Sequence, residues 1–278
     1  RTRAVVLDAV VPPELALGSE HARNLEVSLD AQFERCAADP VCAQRFGSPR
    51  EALTKLLEAL DRQPQPVRYR DPLTHEWQDG TLTRDVVAGV VRLFAYVPQL
   101  SAMLPQSLAE AAVGHSEVLM AQGRMIESLV GEQINQGLQL SVSCSEDADR
   151  LRVDPADANT LMGTAFVAIL LAQCEAWPRG RRPPDFNEPV RSDRPVLLLS
   201  GEFDPVTPPR YGEQVLGHLP NGRHLVARGQ GHNVMVAGCA PRLMARFVAS
   251  ADAKGLDASC LERLDYTPPF TGSFGWEP

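Results

Sequence analysis

Asp204 and His232 are the two residues whose types and settings suggest shared chemistry. Asp204 stands in LLLSGEFDPVTP (Leu197–Pro208), an apolar run that stops abruptly at an acid. His232 stands in ARGQGHN, just past a second short apolar run. A histidine can take a proton from a hydroxyl only when its far nitrogen is neutral. A buried carboxylate that accepts from the near N–H fixes that tautomer and stabilises the imidazolium formed during attack. Pro205 biases Asp204 away from helical angles, so the chain turns out of its strand there. Gly229 and Gly231 permit a tight loop ahead of His232. Read singly, Asp204 is a turn or helix-cap residue and His232 an exposed loop histidine. Read together, each just after a strand, they form the acid and base of a catalytic triad. Glu202 is the competing acid, and surface roles are expected for His21, His75, His115, His218 and His224.

The elements that must position this pair follow from hydrophobic period and breaker residues. RTRAVVLDAVVPP opens with a core-like strand, Ala4 to Val11, apolar apart from Asp8. Pro12 and Pro13 then end it. From Ser19 to about Gly137 the pattern is helical. One stripe runs Leu25, Leu29, Phe33, Cys36, and another runs Leu53, Leu56, Leu57, Leu60 behind Ser48-Pro49, a helix-start signal. QPQPVRYRDPLTHEWQDG suits a small hairpin. GLQLSVSCSED, Gly137 to Asp147, returns to extended character, and one long helix is predicted from Asp154 to Gln173. Pro178 to Arg194 is a proline-rich connector. Strands at Pro195–Ser200 and Arg223–Ala227 then alternate with helices at Pro208–Leu219 and Ala240–Ser250, which implies βαβ units and a parallel sheet. The tail from Tyr266 is too rich in Pro and Gly for regular structure. Together these give an α/β chain whose sheet is interrupted by a long helical insertion. Such an insertion would sit above the carboxyl edge, where open sheets bind ligands.

Composition narrows the function. The chain has 278 residues, is 44% apolar and carries a formal charge of -8, which excludes non-specific nucleic-acid binding. The one basic run, PRGRRPPD, reads as a solvated linker. LMGTAFVAILLAQC is too short to span a membrane and suits a buried helix. The six cysteines, Cys36, Cys42, Cys144, Cys174, Cys239 and Cys260, form no C-x-x-C pair and lack zinc-finger spacing to any histidine. No metal and no cofactor is therefore expected. Near-neighbour disulfides (36 with 42, 144 with 174, 239 with 260) are favoured over buried free thiols. That pairing predicts maturation outside the cytoplasm, in the periplasm or after secretion.

RPVLLLSGEFDPVTPPRYGEQV followed by LPNGRHLVARGQGHNV resembles the carboxyl-terminal region of α/β-hydrolase peptidases, nearest to the secreted tripeptidyl aminopeptidases and their prolyl aminopeptidase relatives. RTRAVVLDAVVPP looks like the strand after the nucleophile helix of that fold, and RCAADPVCAQRFG and SVSCSED resemble parts of its helical cap. The resemblance implies a partial α/β-hydrolase fold: a core strand at 1–14, a mainly helical cap insertion at 15–190, and the carboxyl-terminal core at 191–278. It also implies a triad in the order Ser, Asp, His, with Asp204 as acid and His232 as base. The family's G-x-S-x-G elbow has no match here; TGSFG (Thr271–Gly275) lacks its spacing, and VGHSEV lacks the second glycine and sits in a helical stretch. The expectation is a carboxyl-terminal portion of a serine exopeptidase, inactive alone, whose serine belongs to a missing upstream segment. A peptide substrate follows from the same resemblance, and Glu146 and Asp147 are candidates for its free ammonium, against an exposed turn or helix-cap role. The rival readings are an esterase or lipase of the same fold, and a non-catalytic binding protein that lacks a nucleophile.

Overall fold

The computed structural model describes residues 2–133, 135–272 and 275. Along the chain run β1 (Val5–Asp8), α1 (His21–Ala38), α2 (Pro40–Phe46), α3 (Pro49–Arg62), β2 (Gln65–Arg70), β3 (Trp77–Leu82), α4 (Arg84–Phe94), α5 (Pro98–Ser101), α6 (Leu104–Ala112) and α7 (Glu117–Gln133). There follow α8 (Gln136–Glu146), a 3-10 turn (Pro155–Asn159), α9 (Ala165–Ala176), β4 (Val196–Gly201), α10 (Pro209–Leu216), β5 (Gly222–Ala227), α11 (Ala240–Ser250) and α12 (Ser259–Glu262). This is a mixed α/β protein with a small parallel sheet and many helices. Contacts divide it into two compact units, residues 1–28 with 136–266 and residues 29–135 with 267–278.

The first unit holds a three-stranded parallel sheet in the order β1-β4-β5. The central strand VLLLSG is buried along its whole length, as a parallel strand covered on both faces must be. Its side chains alternate between two cores. Leu197 and Leu199 face Leu225, Leu243 and Phe247, while Val196 and Leu198 face Leu219 with Val5 and Leu7 beside them. The second face also carries an apolar groove of about 760 Å³ beside β1, walled by Val5, Leu7, Val10, Val196, Val215 and Leu219.

In the second unit the predicted stripes are buried: Leu29, Phe33 and Cys36 on α1, and Leu53, Leu56, Leu57 and Leu60 on α3. The Ser48 side chain accepts from the Glu51 N–H, so it caps α3 with Pro49 in the first turn. β2 and β3 pair antiparallel as the expected hairpin. All three near-neighbour disulfides are present: Cys36–Cys42 in this unit, Cys144–Cys174 and Cys239–Cys260 in the first.

Two sequence expectations are corrected. Residues 137–147 are not extended: 137–146 form most of α8, and Asp147 begins the turn after it. Alternating Leu138, Leu140 and Val142 imitate a strand, yet Leu138 and Val142 are exposed. Leu140 and Cys144, four apart, pack on Leu170 and Cys174 of α9, and that helical spacing wins. The single long helix from Asp154 is broken as well. Asp154 caps only the 3-10 turn, and Gly163, at φ 57°, stands in a turn before α9 begins. In the tail, Ser273 and Phe274 of TGSFG lie outside the described residues.

Candidate active site

β4 ends against the loop that follows β5. Phe203 N donates to Gln230 O at 2.8 Å and Glu202 N to Ala227 O at 3.1 Å. Gly201 makes this possible: a Cβ there would stand 1.9 Å from the Gly231 carbonyl oxygen. Past the strand, the Asp204 side chain folds back on its own turn. Its Oδ1 accepts from Val206 N and Thr207 N, both at 2.8 Å. Its Oδ2 accepts from the Thr207 hydroxyl at 2.8 Å. On the other strand, Gly229 at φ 67° turns the chain out of β5 toward His232.

These two turns bring Asp204 and His232 together. His232 Nδ1 lies 2.9 Å from Asp204 Oδ2. An ionised carboxylate only accepts, so Nδ1 carries the proton and the basic lone pair falls on Nε2. The Asp204 side chain is 0% exposed and that of His232 20%. The pair therefore has a dry end and a wet end. Burial pushes the Asp204 carboxyl up, but the hydrogen bond and charge of His232, with the Thr207 and Val206 amides, outweigh it. The carboxyl sits below its ordinary 3.8 and stays ionised near neutrality.

A second layer holds the acid's turn. Three residues spaced by four, Glu20 just ahead of α1 and Asn24 and Ser28 within it, lie along one side. Ser28 Oγ donates to Phe203 O at 2.6 Å, and Asn24 Nδ2 donates to Val206 O at 2.8 Å and to the Tyr211 hydroxyl at 2.9 Å. The Tyr211 hydroxyl in turn donates to Glu20 at 2.6 Å. Sequence reasoning passed over this stripe, because Asn24 and Ser28 look like solvated helix positions. Both are buried.

Glu202 is engaged elsewhere: Gly229 N donates to its Oε2 at 2.7 Å and the Tyr266 hydroxyl to its Oε1 at 3.1 Å. Glu146 ends α8 and Asp147 follows it; there Arg182 donates to the Glu146 carbonyl and Arg150 pairs with the Asp147 carboxylate at 2.6 Å. The surface role expected for the five other histidines is corrected for His21 and His224. His75 and His115 are exposed, but His21 packs against Phe166 and His224 Nε2 lies 2.9 Å from Ser200 Oγ. Burial holds the His224 imidazole below its ordinary range. This Ser–His contact is not a second nucleophile, because Ser200 is only 1% exposed. Among the described residues no cluster of His, Cys, Asp or Glu is arranged to hold a metal, and no helix is long and apolar enough to cross a membrane.

No curated protein matches the chain. Residues 159–260, which carry β4, Asp204, β5 and His232, match the family model described as TAP-like protein, and this stretch is accordingly a domain of that α/β-hydrolase family.

Proposed function

We propose that this chain carries the acid and base of a serine hydrolase, and that it is the carboxyl-terminal part of an exopeptidase acting at peptide N-termini. The observation that carries the reading is the buried Asp204 carboxylate 2.9 Å from His232 Nδ1, within the TAP-like domain. In this reading a serine hydroxyl reaches His232 Nε2. The serine attacks the substrate carbonyl as Nε2 takes its proton, and Asp204 stabilises the imidazolium. The same imidazolium then protonates the leaving amine, and water releases the acyl group by the reverse route.

No G-x-S-x-G elbow stands in the 278 residues, so the serine is assigned to a segment outside this chain. The residues present hold an acid and a base and are expected to be inactive alone. A peptide substrate rests on the resemblance to tripeptidyl aminopeptidases. An ammonium bound at Glu146 or Asp147 has to compete with Arg182 and Arg150, which already lie against that segment. Three disulfides support residence outside the cytoplasm, where such bonds persist.

The test is turnover of N-terminally free peptide and simple ester chromogenic substrates by a protein that joins these residues to an upstream elbow. Asp204→Asn should keep the fold and lower kcat by about 10⁴-fold, the loss seen when a triad histidine adopts the wrong tautomer. Near-normal turnover in that variant removes Asp204 from the mechanism. Cleavage of esters with none of peptides defeats the peptidase assignment and leaves the hydrolase.

A further inference from the structure

Asp8 is the one charged residue in the otherwise apolar run from Ala4 to Val11. It ends β1, the strand that pairs with β4 opposite β5. Its two oxygens are each taken by a different backbone amide of one loop. Val234 N donates to Oδ1 at 3.1 Å and Met235 N to Oδ2 at 2.8 Å. Those amides follow His232 by two and three positions. Between them and the histidine stands Asn233 at φ 64°, in the left-handed region that asparagine adopts more readily than most residues. Successive N–H groups turned onto one carboxylate make strong, charge-assisted hydrogen bonds. Asp8 is itself fixed, because the next residue, Ala9, donates its N–H to Leu199 O at 2.9 Å in β4.

We propose that Asp8 is a positioning residue: its carboxylate clamps the Val234 and Met235 amides and so holds the His232 ring against Asp204. The consequence is geometric. Asp204 hangs from the end of β4, while His232 stands in a loop that β5 and the end of β4 hold ahead of the histidine, through Gln230 O among others. The clamp fixes the segment after the histidine and ties it to β1, the strand that pairs with β4, from whose end Asp204 hangs. Its value for catalysis rests on the acid–base reading above, but the clamp can be measured without any substrate.

The experiment uses the chain as it is, isotopically labelled for NMR. In the unsubstituted chain, trans-hydrogen-bond couplings should connect the Val234 and Met235 amides to the Asp8 carboxylate carbon, and a protected low-field Nδ1–H signal should report the His232–Asp204 bond. Asp8→Asn keeps the shape but turns an NH₂ toward one amide. Exchange protection at Val234 or Met235 should then fall by at least about tenfold, the equivalent of one lost hydrogen bond to a charged group. The low-field His232 signal should broaden or vanish, while amides of Leu197–Leu199 keep their protection. A His232 signal that survives the loss of amide protection overturns the proposal. So does an absence of the couplings in the unsubstituted chain, a result that does not depend on any variant folding. Turnover of Asp204→Asn in the complete hydrolase is a separate readout, so failure of the hydrolase reading would leave these NMR outcomes unaffected.

Discussion

At the scale of single residues, the acid's surroundings are richer than the pair itself. Asp204 accepts from two amides, a hydroxyl and an imidazole. It has no room to turn away, and a buried carboxylate is tolerable only when so fully satisfied. Tyr211 extends this network. Burial, and then the hydrogen bond to Glu20, push its hydroxyl up from an ordinary 10.0 to about 12. A raised folded value means that the stabilisation is complete below pH 10 and is lost as pH rises from 10 toward 12. Tyr211→Phe should therefore cost about 1–2 kcal/mol at neutral pH, the usual worth of such a hydrogen bond. The difference from the parent should shrink across that alkaline window, as read from urea denaturation at a series of pH values. A constant difference would show that the hydroxyl contributes through packing alone.

At the scale of elements, the sheet does its work through strand ends rather than strand faces. Gly201 is where β4 and the loop ahead of His232 touch backbone to backbone. If the proposed hydrolase reading holds, Gly201→Ala should push residues 230–232 outward and lower turnover of the protein joined to an upstream elbow by at least about tenfold, since ångström displacements of a catalytic group cost on that order or more. Unchanged turnover would mean the loop relaxes without moving His232. The same elements explain what the sequence disclosed. The stripe on α3 and the two strand-then-turn segments were legible because each obeys one strong local period and ends at a breaker. The proximity of Asp204 and His232 followed from two parallel strands ending at a common rim. What escaped depends on partners distant in sequence. α8 reads as a strand until Cys144 finds Cys174 on α9. Asn24 and Ser28 read as solvated until the acid's turn covers them, and Asp8 reads only as an anomaly until Val234 and Met235 reach it.

For the whole molecule, the disulfides set where stability is held. Cross-linking removes freedom from the unfolded chain in proportion to the logarithm of the loop it closes. The Cys144–Cys174 bridge closes a separation of 30 residues and Cys36–Cys42 one of 6. Replacing both cysteines of the first pair by alanine should cost roughly 3–4 kcal/mol, against roughly 2 for the second. Urea unfolding of the two double variants checks the order, and the reverse order would show that packing lost around Cys36 and Cys42 outweighs the loop effect. The groove beside β1 has a more practical consequence. A trough of about 760 Å³ with valine and leucine walls is an invitation to amphiphiles. Native protein should brighten an anilinonaphthalene sulfonate solution with no denaturant added, and Val10→Asp should dim it; equal brightness would place the dye elsewhere. Detergents and greasy buffer additives are then competitors for the molecule's surface, and preparations made with and without them should differ in how readily they clump.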